Sequence, residues 1–136
     1  DFRPIEQSSE KIKKNGRVNI DLRLTSNPDI LAWAGAHKTA GQTLCGFAME
    51  TQDLESNAAK KLTSKHCSML VANNLNTPGA GFAVDTNVVT VLKPGETTDE
   101  PIIEHWNKMS KQELAERILT ELAALRNTES AESQAS

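Results

Sequence analysis

The sequence predicts an α/β domain: a Rossmann-like three-layer sheet with flanking helices and a protruding β-hairpin. Short apolar runs alternate along the chain with amphipathic helical segments, which is typical of this fold class. The turn dipeptide Asn15-Gly16, followed by alternating apolar and polar residues, predicts the hairpin. With 136 residues, the chain is long enough for one domain with a core and not for two.

Composition narrows the class of function. A net charge of −3 argues against a nucleic-acid binder, which needs a basic face to neutralise phosphates. No apolar run is long enough to cross a bilayer, so we expect no membrane contact. Cys45 and Cys67 lack the spacing of metal ligands, and we expect free thiols in a cytoplasmic protein.

The first part of the chain predicts a ribbon and then a helix. Residues 17–24 alternate, which indicates a half-buried strand whose apolar side consists of Val18, Ile20, Leu22 and Leu24. Such a ribbon covers a site or pairs with a second subunit, and the sequence leaves both open. Asn27 as N-cap and Pro28 at the first helical position predict a helix that ends at Gly35 or Gly41.

The centre of the chain carries the pattern of a ligand-binding loop. A strand over residues 43–47, a corner that contains Gly46 and a helix over residues 54–65 place such a loop at the carboxyl end of a sheet strand. On the helix, Asn57, Lys61 and Lys65 recur every four residues and form one polar stripe. Two lysines one turn apart can hold a polyphosphate, although a solvated helix face gives the same pattern.

The second half predicts two further strands, at residues 69–72 and 87–92, and one long helix. The loop at 77–82 lacks the glycine spacing of a dinucleotide site, and residues 96–109 are expected to be irregular, with Ile102, Ile103 and Trp106 as anchors. Ser110 to Glu113 is a capping box. The buried face of the helix it opens is expected to contain Leu114, Ala115, Ile118, Leu119, Leu122 and Leu125. The domain spans residues 1–126, and residues 127–136 are predicted to be a disordered polar tail.

Several short motifs occur in one collinear order. They are Asp1-Phe2-Arg3-Pro4, Glu10-Lys11-Ile12-Lys13-Lys14, Asn27-Pro28-Asp29-Ile30-Leu31, Gly46-Phe47-Ala48-Met49-Glu50-Thr51, Lys61, Lys65, Val71-Ala72-Asn73, Gly79-Ala80-Gly81-Phe82, Asp85-Thr86-Asn87 and Ser110-Lys111. Together they resemble the C-terminal half of bacterial phosphopantothenate–cysteine ligase, an enzyme of coenzyme A synthesis. That ligase is often the C-terminal domain of a bifunctional phosphopantothenoylcysteine decarboxylase/synthetase.

The resemblance implies a two-step ligation. The carboxylate of 4′-phosphopantothenate attacks the α-phosphate of CTP, which releases pyrophosphate and leaves an acyl-cytidylate; the amine of L-cysteine then displaces CMP. It also implies Mg²⁺ with CTP, a homodimer, and FMN only in a fused decarboxylase domain absent here. The choice of CTP over ATP stays open.

The resemblance assigns roles to residues. Lys11 matches the active-site lysine and would sit near the reacting phosphate or acyl group. The nucleotide-binding residues that it implies are Asp1, Lys11, Pro28, Asp29, Ile30, Leu31, Phe47, Lys61 and Lys65. Phe47 would pack on the base or ribose, Lys61 and Lys65 would take the phosphate side, and Asn73 is a possible further member. Asp1 could reach Mg²⁺ through the nucleotide.

Plainer interpretations exist for these residues. Lys11 could lie in a solvated turn, Asp1 could be a simple terminus, and Phe47 could belong to the core. His37, His66 and His105 are scattered, which indicates surface residues rather than metal ligands, and Trp33 is expected to serve packing.

Family members carry another α/β half before the position of Asp1, with glycine-rich loops and an asparagine used in the second step. We therefore expect the N-terminal part of the sheet to be missing from this chain, and the isolated chain to be inactive. The alternative function is a non-catalytic nucleotide-binding or dimerisation module on the same scaffold.

Overall fold

The structure is a computed structural model that describes residues 1–16, 18–74, 77, 84–97 and 100–134. It forms two compact units, Asp1–Ile30 and Leu31–Ser136, here called the ribbon unit and the sheet unit. Among the described residues, no helix combines the length and the apolar character that crossing a bilayer requires.

The ribbon unit pairs β1 (Phe2–Pro4) with β2 (Leu24–Ser26) in antiparallel register. The predicted turn is confirmed, because Asn15 and Gly16 both have positive φ, 42° and 74°. The half-buried strand predicted over residues 17–24 is wrong for the described residues 18–23, which are not strand, and Val18 is 96% exposed. The reason is that a two-stranded ribbon by itself has no second layer against which to bury one face.

The sheet unit contains a mixed four-stranded sheet in the order β3-β4-β5-β6. Its strands are β3 (Cys45–Glu50), β4 (Met69–Asn74), β5 (Thr86–Lys93) and β6 (Ile102–Ser110). The β3–β4 pair is parallel, and the two following pairs are antiparallel. Within the described residues, the α/β fold is completed by helices α1 (Ile30–His37), α2 (Leu54–Ser64) and α3 (Lys111–Gln134), which confirms the predicted class.

Strand β6 replaces the irregular segment predicted over residues 96–109. Of its nine residues only Trp106 is fully buried, and the β5–β6 register shifts between Asn87 and Val89. An edge strand with one buried side chain and an irregular register shows no clean alternation, so the sequence pattern could not reveal it.

Two buried clusters lie on opposite faces of the sheet and give the three layers. The cluster on the α2 face consists of Ala48, Ala58, Leu62, Cys67, Leu70, Ala72 and Leu92. The cluster on the α3 face consists of Met69, Val71, Val89, Val91, Trp106, Leu114 and Ile118, with Leu122 and Leu125 partly buried against it. Ala115 and Leu119, predicted to be buried, are exposed, because the sheet covers only a narrow stripe of α3.

Gly46 lies inside β3 and not at a corner. A Cβ atom there would come within 2.6 Å of Leu70 and 3.0 Å of Leu31, so the packing of the α2 face requires a glycine. The corner falls after the strand, at residues 51–53, where Asp53 adopts a φ of 48°. Strand β3 therefore continues to Glu50, whose side chain lies at the carboxyl end of β3.

The helix ends differ from expectation at two points. Helix α1 begins at Ile30, and the Asn27 side chain accepts a hydrogen bond from Arg3 (3.1 Å) instead of capping the helix. Helix α3 runs to Gln134 and so includes most of the segment that was predicted as a disordered tail from residue 127. That segment has no glycine or proline and contains helix-favouring alanine and glutamate.

The capping box is confirmed. The Ser110 backbone N–H donates to Glu113 Oε2 at 2.9 Å, and the Glu113 N–H donates to Ser110 Oγ at 3.1 Å. The predicted loop at 77–82 lies outside the described residues except for Thr77.

A charged network fastens α3 to the sheet. Lys93 Nζ donates to Glu104 Oε1 at 2.7 Å and to Glu121 Oε2 at 2.8 Å, and Trp106 Nε1 donates to Glu104 Oε2 at 3.0 Å. The hydrogen bonds from Lys93 and Trp106 hold the pKa of Glu104 below its ordinary value. Burial alone would lower the pKa of Lys93, but its bonds to the two glutamates outweigh burial and raise it.

We expect Glu104→Gln to lower the free energy of unfolding by about 1 kcal/mol at pH 7. Because the folded pKa of Glu104 is depressed, its stabilisation is present above the pKa of the unfolded carboxyl and is lost as the pH falls through the folded pKa. Urea unfolding should therefore show the gap between wild type and variant closing below about pH 5. The control is Glu96→Gln, at an exposed carboxylate between β5 and β6. A gap that stays constant down to pH 3 would contradict this.

Candidate functional site

The carboxyl end of β3 and the adjoining face of α2 form a charged cluster. Lys61 Nζ donates to Glu50 Oε1 at 2.6 Å, and Asn57 Nδ2 lies 3.4 Å from Glu50 Oε2 and 3.2 Å from the Gln52 carbonyl oxygen. The Glu50 side chain is 14% exposed and that of Lys61 is 46% exposed. The cluster thus has a shielded carboxylate on the inside and an ammonium group that reaches solvent.

Lys65 lies one turn beyond Lys61 on the same side of α2, about 6 Å along the axis. It is the C-cap residue, and its N–H donates to the Lys61 carbonyl oxygen at 3.0 Å. A Cβ atom at Gly35 of α1 would overlap the Lys65 carbonyl oxygen, so α1 contacts the backbone at the end of α2 directly. The structure therefore brings the two predicted lysines together and fixes their helix against α1.

Phe47 lies on the other face of β3. Alternation along the strand directs Ala48 toward α2 and Phe47 away from it, and the Phe47 side chain is 68% exposed. Asn73, which is paired with Met49 in the β3–β4 register, shares that face. A core role for Phe47 is therefore excluded, and the structure does not place it on the same face as Lys61 and Lys65.

The ribbon unit brings Asp1 to the segment that contains Pro28 and Asp29. The Asn27 N–H donates to the Asp1 carbonyl oxygen at 2.9 Å, and Arg3 Nη1 donates to the Ser26 carbonyl oxygen at 2.8 Å. These contacts extend the β1–β2 pairing by one residue. Lys11 lies in an exposed segment without regular structure.

The described histidine, tryptophan and cysteine side chains do not form a metal site or a reactive nucleophile. Within the described part of the chain, no three His, Cys, Asp or Glu side chains are grouped as a metal site. His37, His66 and His105 are all exposed, as expected, while Trp33 is 64% exposed and stacks on His37 instead of packing in the core. Burial, with a smaller effect of Cys67, raises the pKa of the Cys45 thiol to about 11, so it is not a reactive thiolate at neutral pH.

Sequence patterns missed Glu50 as a site residue. The available signal was its position two residues after Ala48, which places both side chains on the α2 face if the strand continues. Because the sequence pattern predicts a corner at Gly46, it ends the strand before Glu50.

Comparisons with known proteins identify the family of this chain. A family model described as "DNA/pantothenate metabolism flavoprotein C-terminal domain" matches residues 1–125. The coenzyme A biosynthesis bifunctional protein CoaBC of Bacillus subtilis (strain 168) is 42% identical over 127 residues, which is 92% of this chain and 29% of that protein. A protein named cysteine/cysteine sulfinic acid decarboxylase, from an unknown prokaryotic organism, is 38% identical over 126 residues, or 92% of this chain and 33% of that protein. The chain spans about a third of the length of these relatives.

Among solved structures, the crystal structure of the C-terminal domain of the coenzyme A biosynthesis bifunctional protein CoaBC superposes with a TM-score of 0.67. It is 26% identical, and the match covers 94% of this chain and 50% of that one. This likeness extends over nearly the whole described chain and supports the same mixed α/β architecture.

Proposed function

Because this chain belongs to the DNA/pantothenate metabolism flavoprotein C-terminal domain family, we propose that it forms the C-terminal half of a phosphopantothenate–cysteine ligase in coenzyme A synthesis. Membership confirms the family resemblance carried by the sequence motifs. The observation that carries the proposal is the 42% identity, over 92% of this chain, to a protein named for coenzyme A biosynthesis.

The proposed reaction joins 4′-phosphopantothenate to L-cysteine. The substrate carboxylate attacks the α-phosphate of CTP, the bond to the β-phosphate breaks, and pyrophosphate leaves. The cysteine amine then attacks the acyl carbon, loses a proton and displaces CMP, leaving the amide. Two anions must approach each other in the first step, so fixed cations are needed to offset their repulsion.

The chain's own residues suit that demand. Lys61 presents a cationic group at the carboxyl end of the parallel strand β3, where α/β proteins bind ligands, and Lys65 follows one turn later on the same side of α2. Phe47 offers an exposed aromatic ring on the other face of the same strand. A nucleotide that meets both must lie across the end of β3, with its base on the Phe47 side and its phosphates on the α2 side. Lys11 would act at the reacting phosphate, the role that the family resemblance implies for it.

Mg²⁺ would reach this site with the nucleotide. Since the described residues include no ready group of metal ligands, most of its ligands would be phosphate oxygens and water, as is common for Mg²⁺. FMN would be bound by a fused decarboxylase domain and not by this chain. We place the protein in the cytoplasm.

We also propose that the protein acts as a homodimer. The ribbon exposes the apolar side chains Val18, Ile20 and Leu22, each more than 60% accessible, and such a surface suits a second subunit. Size-exclusion chromatography with light scattering should give twice the monomer mass, and a monomer at high concentration would count against the dimer.

Replacing Phe47 should weaken the binding of CTP while leaving the stability of the fold nearly unchanged. We expect Phe47→Ala to change the free energy of unfolding by less than about 1 kcal/mol, because the side chain is already exposed. The KM for CTP should rise about tenfold, because a base–aromatic contact is lost. Met49→Ala, on the same face of β3, is the matched control. An unchanged KM for the Phe47 variant would remove this residue from the nucleotide site.

The proposed activity is tested by CMP release. The full-length protein that carries this chain, supplied with CTP, Mg²⁺, 4′-phosphopantothenate and cysteine, should release CMP and form the cysteine amide. The isolated chain should not. Activity with ATP and not with CTP would show that ATP is the nucleotide substrate. If neither nucleotide supported ligation, the result would favour the non-catalytic module. Full activity of the isolated chain would overturn the view that it is only half of the site.

A further inference from the structure

The Glu50–Lys61 contact has two possible effects on a bound anion. The carboxylate reduces the net positive charge that Lys61 presents, which would weaken the binding of phosphate. It also fixes a long, flexible side chain in one position, which would strengthen binding because less rotamer freedom remains to be lost. The burial of Glu50 determines whether the loss of positive charge or the fixed position of Lys61 has the larger effect on anion binding.

Glu50 is the shielded partner of the pair. Its side chain is 14% exposed, and apart from Lys61 at 2.6 Å, its described contact is the Asn57 amide at 3.4 Å. If Lys61 moved away to follow a phosphate, the carboxylate would be left with only the long hydrogen bond from the neutral Asn57 amide. Separating a partly shielded ion pair costs free energy, which favours Lys61 staying on Glu50 when an anion binds.

Lys61 then serves both partners at once. An ammonium group has three N–H donors, and the Glu50 contact takes one of them. The remaining donors belong to a side chain that is 46% exposed, so they are accessible to a ligand at the end of β3.

We propose that Glu50 is a positioning residue for the polyphosphate: its carboxylate holds the Lys61 ammonium at the carboxyl end of β3, so that the free donors meet the phosphates of the nucleotide. This inference rests on the proposed function, because it takes CTP as the ligand.

The test is a double-mutant cycle with CTP in the full-length protein, read by isothermal titration calorimetry. Glu50→Ala should raise the Kd for CTP about tenfold, because the lysine loses its orientation. In the Lys61→Ala background, the same change should have less than a twofold effect. Lys60→Ala, at the exposed neighbouring lysine of α2, is the control and should leave the Kd unchanged.

Two further measurements distinguish positioning from a general loss of structure. The Kd for CMP, which lacks the β- and γ-phosphates, should rise much less than that for CTP, whereas a disturbed fold would weaken both alike. Glu50→Gln keeps the side-chain volume and one acceptor oxygen, so it should fold even if Glu50→Ala does not. It should weaken CTP binding less than Glu50→Ala does, because a neutral acceptor holds an ammonium less firmly.

The outcomes separate the two proposals. Tighter CTP binding by either Glu50 variant would show that the carboxylate acts by opposing charge, and an equal loss in the Lys61→Ala background would show that it does not act through Lys61; either overturns the inference alone. A wild-type protein that binds no CTP would overturn the inference and the proposed function together.

Discussion

Replacing Lys61 should lower kcat/KM for CTP in the full-length protein about 100-fold, which corresponds to about 2.7 kcal/mol of transition-state stabilisation. The physical reason is the loss of a fixed cation beside the triphosphate. Because Lys61→Ala also leaves Glu50 without its 2.6 Å partner, Lys61→Gln should be measured beside it. The glutamine amide can still donate to Glu50 but carries no charge, and it should show a similar loss. Lys60→Ala should retain wild-type turnover.

The same experiment separates the two classes of function. If the protein is a ligase, Lys11→Ala and Lys65→Ala should also reduce CTP turnover sharply. If the scaffold serves only nucleotide binding or dimerisation for another activity, all three lysine variants should leave turnover as it is in the wild type.

Gly35→Ala should lower the free energy of unfolding by about 3 kcal/mol and the Tm by roughly 10 °C. The added Cβ atom would overlap the Lys65 carbonyl oxygen, which is backbone and cannot rotate away. The direction of the change in the free energy of unfolding is the most informative result, because alanine in place of glycine within a helix stabilises by up to about 1 kcal/mol where space allows. Thermal and urea unfolding of the variant check it.

Gly41→Ala is the comparison variant. Gly41 has a φ of 81° but open space around the Cβ position, so only the left-handed backbone penalty of about 1–2 kcal/mol applies. If Gly35→Ala were as stable as wild type or more so, α1 would not contact the end of α2 as the structure describes.

The sequence predicted the features that depend on local periodicity. The i, i+4 spacing of Lys61 and Lys65 placed both on one side of α2, and Ser110 with Glu113 marked the start of α3, because helix geometry and capping are local. Short apolar runs predicted strands at the positions of β3, β4 and β5. Each of these is visible within a dozen residues.

The sequence could not predict features that depend on contacts between residues far apart in the chain. The Glu50–Lys61 pair can be predicted only if the end of β3 is known. The sequence predicts a corner at Gly46, whereas the structure shows that Leu70 and Leu31 leave no room for a Cβ atom there. Strand β6 has too few buried side chains to produce alternation. An alternating apolar pattern in the ribbon shows that one side is apolar, but it does not show what covers that side.

The proposed nucleotide site requires three lysines to converge on one nucleotide. A crystal structure of the full-length protein with CTP and Mg²⁺ tests this directly. We expect the ammonium groups of Lys11, Lys61 and Lys65 to lie within hydrogen-bonding distance of a single triphosphate, with Phe47 against its base or ribose. Lys11 on the opposite side of the assembled molecule from Lys61 and Lys65, with a second subunit included, would contradict it.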